Sequence, residues 1–255
     1  MSVFIGRDRK LTQGPGGNTS LKYENFCMVK ASGKWLSRAY DEAIFTTLFR
    51  EYKSFRVLNS KTSAKPSIEW PLHTAIQSKY VAHYHSVNSI AISFSSALEN
   101  FLEQNLNVCL IPYLRPGKKL AHEIVKKLNT NIHNSCLLKN HGFLIWGEEA
   151  ESLIKHIQEM ENLISNFLQK QLGIQGKKSS YSLNGFITPE HSIFFKEPND
   201  YINYTHLTGF KADIAKSIQD SLELLGQHDQ IEYISRDEVK LIRNWPAEKY
   251  RINAQ

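Results

Sequence analysis

The longest periodic pattern in the chain constrains its fold more than any other feature. Residues 148–172 carry apolar side chains three and four positions apart, which places them on one face of a helix. Two short apolar segments, residues 135–139 and 143–146, come just before this helix and predict two strands. This order of elements predicts a mixed α/β fold with several helices around one sheet. The apolar residues of the long helix are Leu153, Ile157, Met160, Leu163, Ile164, Phe167 and Leu168.

Shorter patterns predict the remaining elements. Another helix is predicted to begin near Ser67, a good N-cap residue, with Glu69 in its first turn. Residues 11–20 contain three glycines and one proline in four consecutive positions, so this segment is predicted to be a loop. Further strands are predicted at residues 26–31, 80–85 and 107–113, and further helices at residues 38–52, 118–128 and 211–225.

A change in composition divides the chain near residue 175. Residues 173–182 are rich in glycine, lysine and serine, a composition that is typical of linkers. The length of 255 residues suits either one large domain or one domain with a small C-terminal appendage. We therefore predict a main domain over residues 1–175 and a C-terminal extension over residues 176–255, packed on the main domain or linked to it.

Composition and charge argue against several classes of protein. Cys27, Cys109 and Cys136 lie in apolar segments without a CxxC pair, which predicts buried free thiols and a reducing, cytoplasmic setting. No run of eighteen apolar residues occurs, and the first ten residues become charged before an apolar segment forms, so neither a membrane span nor a signal peptide is expected. The net charge of +6 is spread along the chain, which does not favour nucleic-acid binding and suits a small anionic substrate.

Three histidines form the most informative cluster for function. His83 and His85 are two positions apart in a predicted strand, so their side chains point to the same face. His141 stands in a predicted turn before Gly142, where a sharp bend is easily accommodated. Three imidazoles with an open fourth position are typical of catalytic zinc, although other divalent metals also bind imidazole. An HxH pair also arises by chance, and His73, one helical turn beyond Glu69, is either a neighbour of the site or a structural histidine.

Six short motifs occur in a fixed order along the chain: GGNTS at 16–20, KASG at 30–33, PSIEWPLH at 66–73, HYH at 83–85, PYLRPG at 112–117 and NHG at 140–142. Their order and spacing resemble those of the class II aldolase/adducin family. The resemblance covers roughly residues 10–170. It implies α/β/α layers with a central, mainly antiparallel sheet flanked by helices, and a homotetramer with active sites at subunit boundaries.

The resemblance also implies a role for individual residues. The matching histidines imply a zinc site, or a site for another divalent metal, formed by His83, His85 and His141. Glu69 matches the catalytic glutamate of the family. The residues that match the phosphate-binding segments are Gly17, Asn18, Ser20, Ser32, Gly33 and Ser67.

The implied function is that of a metal-dependent lyase. Such an enzyme cleaves or forms a carbon–carbon bond in a ketose phosphate or a related hydroxy-ketone through a metal-stabilised enediolate. Ile68 stands where sugar-phosphate aldolases often carry a second serine, and the tyrosine acid of those aldolases has no clear match. A 4-epimerase or a decarboxylase that uses the same site is therefore an alternative, with a dehydratase ranked third. A non-catalytic, adducin-like scaffold is the alternative from another class.

Overall fold

A computed structural model describes residues 1–51, 54–58, 65–105, 108–128, 134–176, 178 and 181–253. Within these ranges, eight strands form a single sheet in the order β4-β3-β2-β1-β5-β8-β7-β6. Neighbouring strands are antiparallel except for β6 and β7, which are parallel, so the predicted mainly antiparallel sheet is confirmed. The strands are β1 (Asn18–Tyr23), β2 (Phe26–Lys30), β3 (Phe45–Glu51), β4 (Ser54–Val57), β5 (Tyr80–Tyr84), β6 (Cys109–Ile111), β7 (Ser135–Leu138) and β8 (Gly142–Gly147).

Helices cover both faces of the sheet. Short 3-10 helices lie at Leu36–Arg38 and Asp200–His206. None of the helices in the described ranges combines the length and the apolar composition that crossing a bilayer requires. The α-helices are α1 (Ser2–Arg7), α2 (Trp70–Ala75), α3 (Val87–Phe94), α4 (Leu98–Gln104), α5 (Lys118–Leu128), α6 (Ala150–Gln175), α7 (Pro189–Phe194), α8 (Gly209–Glu223), α9 (Arg236–Asn244) and α10 (Pro246–Asn253).

The central strands separate two apolar cores. Successive side chains of a strand point to opposite faces, so Val81 and Leu144 join the core beneath α2 and α5. Ala82 and Phe143 join the larger core beneath α3, α6 and α8. The predicted α/β/α layers are therefore confirmed.

One predicted helix is wrong. A helix is predicted over residues 38–52, but residues 38–51 form the end of a 3-10 helix, a turn and then β3 (Phe45–Glu51), and residue 52 lies outside the described ranges. Ile44, Thr46 and Leu48 are buried at every second position, which is the periodicity of a strand. The apolar residues of this short segment fit the periodicity of a helix as well as that of a strand. Hydrogen bonding to β2 and β4 makes it a strand.

Two predicted boundaries also need correction. The loop predicted over residues 11–20 ends earlier, because β1 begins at Asn18 and pairs with β5. Helix α2 begins at Trp70 with Glu69 as its N-cap residue, and Ser67 Oγ instead accepts a hydrogen bond from the Glu69 backbone N–H at 3.3 Å.

The other boundaries lie near their predicted positions. Helix α6 continues to Gln175, two residues beyond the predicted start of the linker. Residues 177, 179 and 180 of that linker, and residue 107 of the strand predicted at 107–113, lie outside the described ranges. The three cysteines are free and buried, as predicted.

The C-terminal segment packs closely on the rest of the chain. Ser221 Oγ of α8 donates to the backbone oxygen of Val87 in α3 at 3.0 Å. The backbone N–H of Glu232 donates to the oxygen of Phe94 at 2.8 Å. Buried side chains of α8, such as Ile218, belong to the same apolar core as those of the central strands. The division into residues 1–175 and 176–255 stays a prediction.

Asn140 connects this segment to the turn before β8. Its Nδ2 donates to the backbone oxygens of Ile187 at 3.0 Å and Glu232 at 2.9 Å. Asn140 also adopts a positive φ of 55°, which asparagine tolerates better than most residues. One side chain therefore anchors two parts of the C-terminal segment against the sheet.

Replacing Asn140 with glycine keeps the positive φ and removes both hydrogen bonds. We expect the free energy of unfolding of the metal-free protein to fall by about 1–3 kcal/mol, because one buried carbonyl and one partly buried carbonyl lose their donor. Denaturant unfolding in the presence of a chelator measures this change. Asn244→Ala, which removes an exposed hydrogen bond within α9, is the control and should cost about 0.5 kcal/mol or less. Equal stability of Asn140→Gly and the wild type would show that this anchor does not hold the segment.

Candidate metal and anion site

Pairing between β5 and β8 brings the three predicted histidines together. His83 lies on β5, opposite Leu144 of β8, and His85 follows the end of β5. His141 lies in the turn that leads into β8. A Cβ atom on Gly142 would lie 2.4 Å from the Tyr84 backbone oxygen, so only glycine permits the turn to approach β5 this closely. The sheet register therefore sets the distance between the HxH pair and the third histidine.

The Nε2 atoms of the three imidazoles converge. His83 Nε2 lies 2.9 Å from His85 Nε2 and 3.3 Å from His141 Nε2. Tetrahedral coordination with Zn–N distances near 2.0–2.1 Å separates two ligand nitrogens by roughly 3.3 Å. All three residues are buried, with exposed fractions of 0–2%. This geometry fits three nitrogen ligands of a single ion.

The surroundings keep the ring nitrogens in the form that a metal requires. His83 Nδ1 lies 3.0 Å from the Phe143 backbone oxygen, an acceptor only, so Nδ1 carries the proton and the Nε2 lone pair faces the cluster. Burial lowers the pKa of His141 to about 3, against the opposing effect of the Glu69 carboxylate. His141 is therefore neutral near pH 7 and has a lone pair to donate.

Glu69 completes the cluster. Its Oε2 lies 3.4 Å from His83 Nε2, and its Oε1 lies 3.4 Å from His141 Nε2. Ligand atoms of Glu69 and of the three histidines all lie within 4.8 Å of one another. Oε1 is buried and has no hydrogen-bond partner in the described part of the chain. A divalent cation would satisfy this oxygen and the imidazole nitrogens together, so the residues fit a metal.

A chain of hydrogen bonds behind Glu69 fixes its orientation. Asn18 Nδ2 donates to Glu69 Oε2 at 2.7 Å, and Asn18 Oδ1 is hydrogen-bonded to His73 Nε2. His73 Nδ1 and Ser20 Oγ are 2.8 Å apart. Burial holds the pKa of His73 well below its ordinary value. Of the two alternatives for His73, this chain of hydrogen bonds supports a neighbour of the site, because His73 is connected to Glu69 through Asn18.

A small cavity beside Glu69 brings together most of the residues predicted to bind phosphate. Gly17, Asn18, Ser32, Gly33 and Ser67 line this anion cradle together with Pro15, Lys30, Ile68, Glu69 and His85. Ser20 does not line it, because β1 directs its hydroxyl toward His73. Gly17 and Gly33 have positive φ values of 60° and 77°, so glycine lets two backbone turns meet at the cradle.

Lys30 is a residue of this cradle that the sequence analysis missed. Its side chain is 2% exposed, and its Nζ donates to the backbone oxygens of Pro15 at 2.8 Å and Lys34 at 2.6 Å. These bonds connect the glycine-rich loop to the Ser32–Gly33 turn. The ammonium group thus brings a positive charge to the cradle and fixes its two walls. Lys30 lies in the KASG motif, two positions before Ser32, and this position in the motif could have identified it as a residue of the cradle.

A larger cavity of about 630 Å³ lies on the other side of Ser67 and Ile68. Lys65, Arg115 and Trp245 are among the residues that line it. The Arg115 guanidinium lies 5.8 Å from the centre of the Trp245 ring and 3.3 Å from Glu238 Oε2. Trp245 and Ala247, which also lines the cavity, belong to the C-terminal segment, which therefore forms part of its wall. No role for that segment is evident from the sequence alone.

Comparisons with known proteins agree with this fold. The sequence profile of the Class II Aldolase and Adducin N-terminal domain matches residues 5–168. The N-terminal class II aldolase domain of a conserved protein from Thermoplasma acidophilum has a similar structure, with a TM-score of 0.56 and 25% identity. That match covers 66% of this chain and 90% of the Thermoplasma domain.

Curated relatives differ in activity. The Uncharacterized oxidoreductase YuxG of Bacillus subtilis (strain 168) is 29% identical over 69% of this chain, which spans only 30% of YuxG. The 3-oxo-tetronate 4-phosphate decarboxylase of Escherichia coli (strain K12) is 31% identical over 38% of this chain and 52% of its own length. The chain thus spans about half, or less, of these two relatives. Others are named methylthioribulose-1-phosphate dehydratase and L-fuculose phosphate aldolase.

The profile match covers well over half of the chain, and the fold agrees with it. The cluster of three histidines and one glutamate is consistent with the metal dependence of these enzymes. This protein belongs to the class II aldolase and adducin family.

Proposed function

We propose that this protein is a zinc-dependent lyase that cleaves or forms a carbon–carbon bond in a ketose phosphate or a related hydroxy-ketone. The observation that carries the proposal is the convergence of the His83, His85 and His141 Nε2 atoms beside the Glu69 carboxylate, next to the anion cradle. An anionic substrate group held in the cradle would lie close to the metal ligands, since Glu69 and His85 are among the residues that line it. Relatives named for activity on phosphorylated compounds support a substrate of this class.

In this proposal, the three histidines hold the ion and leave a coordination position open. A bound divalent cation supplies positive charge that stabilises negative charge on the substrate oxygens. The Asn18 amide holds Glu69 Oε2, and Glu69 would alternate between two roles: Oε1 would face the ion in the absence of substrate and would accept or return a proton when substrate is bound. Lys30, Ser32 and Ser67 bind the phosphate group, which fixes the distance between that group and the reacting carbon.

Related reactions can use the same arrangement. The decarboxylase relative favours decarboxylation as the second candidate, because loss of carbon dioxide next to a carbonyl also leaves negative charge on oxygen. Epimerisation and dehydration are further alternatives. The complete set of three histidines and Glu69 favours an enzyme over a scaffold. The cytoplasmic location and the homotetramer stay predictions, and light scattering on the purified protein tests the latter.

Removal of one imidazole tests the metal site. We expect His83→Ala to lose its bound zinc on dialysis, because two nitrogens and one carboxylate hold the ion less tightly than the complete set. Elemental analysis of wild type and variant measures zinc per chain. His122→Ala, on the exposed side of α5, is the matched control and should retain zinc. Full zinc occupancy in His83→Ala would remove this histidine from the ligand set.

A substitution of Glu69 tests whether this residue acts in the reaction rather than in holding the metal. Glu69→Gln keeps the shape of the side chain and removes the basic oxygen, so we expect turnover to fall by about 10²–10⁴-fold. Zinc content should stay near that of the wild type, because the three imidazoles remain. Both quantities are measured with a panel of ketose phosphates, and Glu149→Gln at an exposed position is the control. Unchanged turnover would exclude Glu69 as the base.

Ser32 tests the anion cradle. Loss of its hydroxyl in Ser32→Ala removes a donor to a charged group, which corresponds to about 1.5–3 kcal/mol. We therefore expect kcat/KM for a phosphorylated substrate to fall about tenfold or more. The unphosphorylated analogue, assayed with the same variant, serves as the control and should change little. An equal loss with both compounds would argue against phosphate binding in the cradle.

A further inference from the structure

The C-terminal segment places a buried carboxylate beside one of the metal-site histidines. Glu190 in α7 is 8% exposed, and its Oε2 lies 3.6 Å from His85 Nδ1. The residues from 176 onward lie beyond the part of the chain that matches the family profile, which ends at residue 168. Glu190 is therefore a contribution to the site from outside the family domain.

The two ring nitrogens of His85 face different partners. Nε2 faces the cluster, 2.9 Å from His83 Nε2, so Nδ1 points away from the ion position. An imidazole that binds a metal through Nε2 carries its proton on Nδ1, and an acceptor at Nδ1 fixes this tautomer and the ring orientation. For His83 that acceptor is the backbone oxygen of Phe143 at 3.0 Å. For His85 the facing group is the Glu190 carboxylate.

The surrounding structure holds Glu190 in place. Thr188 Oγ1 accepts a hydrogen bond from the His191 backbone N–H at 3.1 Å and caps α7. His191, which is fully buried, bonds through Nε2 to the Pro198 backbone oxygen at 2.9 Å. The Asn140 amide binds the backbone oxygen of Ile187, three residues before Glu190. The carboxylate therefore lies on a segment that is held by hydrogen bonds within residues 188–198 and by the bond from Asn140, which precedes His141.

Glycine leaves the space around His85 Nδ1 open to this carboxylate. A Cβ atom on Gly16 would lie 3.2 Å from His85 Nδ1, so a larger residue there would crowd the nitrogen. The positions of Gly16 and Glu190 together leave Nδ1 facing a carboxylate in a buried setting. Carboxylates in this position increase the basicity of a metal-binding imidazole.

We propose that Glu190 is a positioning residue for His85: its carboxylate accepts the Nδ1 proton, orients the ring toward the ion and makes metal binding tight. This inference rests on the metal site of the proposed function. If Glu190 has this role, the C-terminal segment contributes directly to the active site. Removal of the Glu190 side chain then weakens metal binding by the three histidines.

Metal titration of the full chain tests this role without any knowledge of the substrate. Metal-free wild type, Glu190→Gln and Glu190→Ala are titrated with Co²⁺, and the visible absorption of the bound ion reports both affinity and ligand geometry. We expect Glu190→Ala to bind Co²⁺ about 10–100-fold more weakly and with an altered spectrum. Glu190→Gln retains an acceptor oxygen without the charge, so its Co²⁺ affinity should lie between those of the wild type and Glu190→Ala.

Two controls make the result specific. Glu232→Gln removes an exposed carboxylate of the same segment, 2.6 Å from Lys139 Nζ, and should bind Co²⁺ like the wild type. Unfolding of each metal-free variant shows whether the fold is intact, and the near-isosteric Glu190→Gln provides the comparison should Glu190→Ala unfold. Wild-type affinity and spectrum in a folded Glu190 variant would overturn the proposal.

The same titration distinguishes this proposal from the broader one. If His83→Ala abolishes Co²⁺ binding while the Glu190 variants bind normally, the metal site stands and the role of Glu190 is refuted. If the wild type binds no Co²⁺, the metal site and the role of Glu190 fail together.

Discussion

The site depends on the pairing of β5 with a neighbour on each side. On one side β1 places Asn18 opposite His83, and on the other β8 begins directly after the turn that carries His141. A shift of one residue in either register would turn the polar side chains toward an apolar core. Correct pairing instead buries His83, His85, His141 and Glu69 together. Burial of this many polar groups is unfavourable unless they share hydrogen bonds or an ion, and a bound divalent cation would satisfy the Glu69 oxygen that has no hydrogen-bond partner in the described part of the chain.

The C-terminal segment takes part in this arrangement. Asn140 holds two of its backbone carbonyls, Trp245 forms part of the larger cavity, and Glu190 faces His85. The fixed parts of the site therefore come from two regions of the chain that are distant in sequence. The family domain supplies the proposed ligands and the anion cradle, while the segment beyond it surrounds them. Differences in such surrounding segments offer a physical basis for different reactions at one type of metal site, because they change what the substrate contacts beyond its reacting atoms.

Much of the fold was predictable from local pattern. The long helix and the amphipathic helix α5 have strong periodicity, and β7 and β8 are short apolar segments around a turn. The error at residues 38–52 has a clear cause, since a short apolar segment fits a helix and a strand alike until its partners are known. The first strand was missed because its start, Asn18, directly follows a run of glycines that indicates a loop. In both places the neighbouring strands supplied the deciding hydrogen bonds.

For the site, the sequence by itself determined the proposed ligand set. HxH spacing in a strand places two imidazoles on one face, and the ordered motifs pointed to Glu69 and His141. Only the tertiary structure decided how these groups are supported. Lys30 joins the two walls of the cradle, Asn18 lies between His73 and Glu69, and Glu190 reaches His85 from a segment about a hundred residues away in sequence. Spacing reports which side chains share a face of one element, but a contact between distant elements exists only once the sheet register and the packing of the layers have formed.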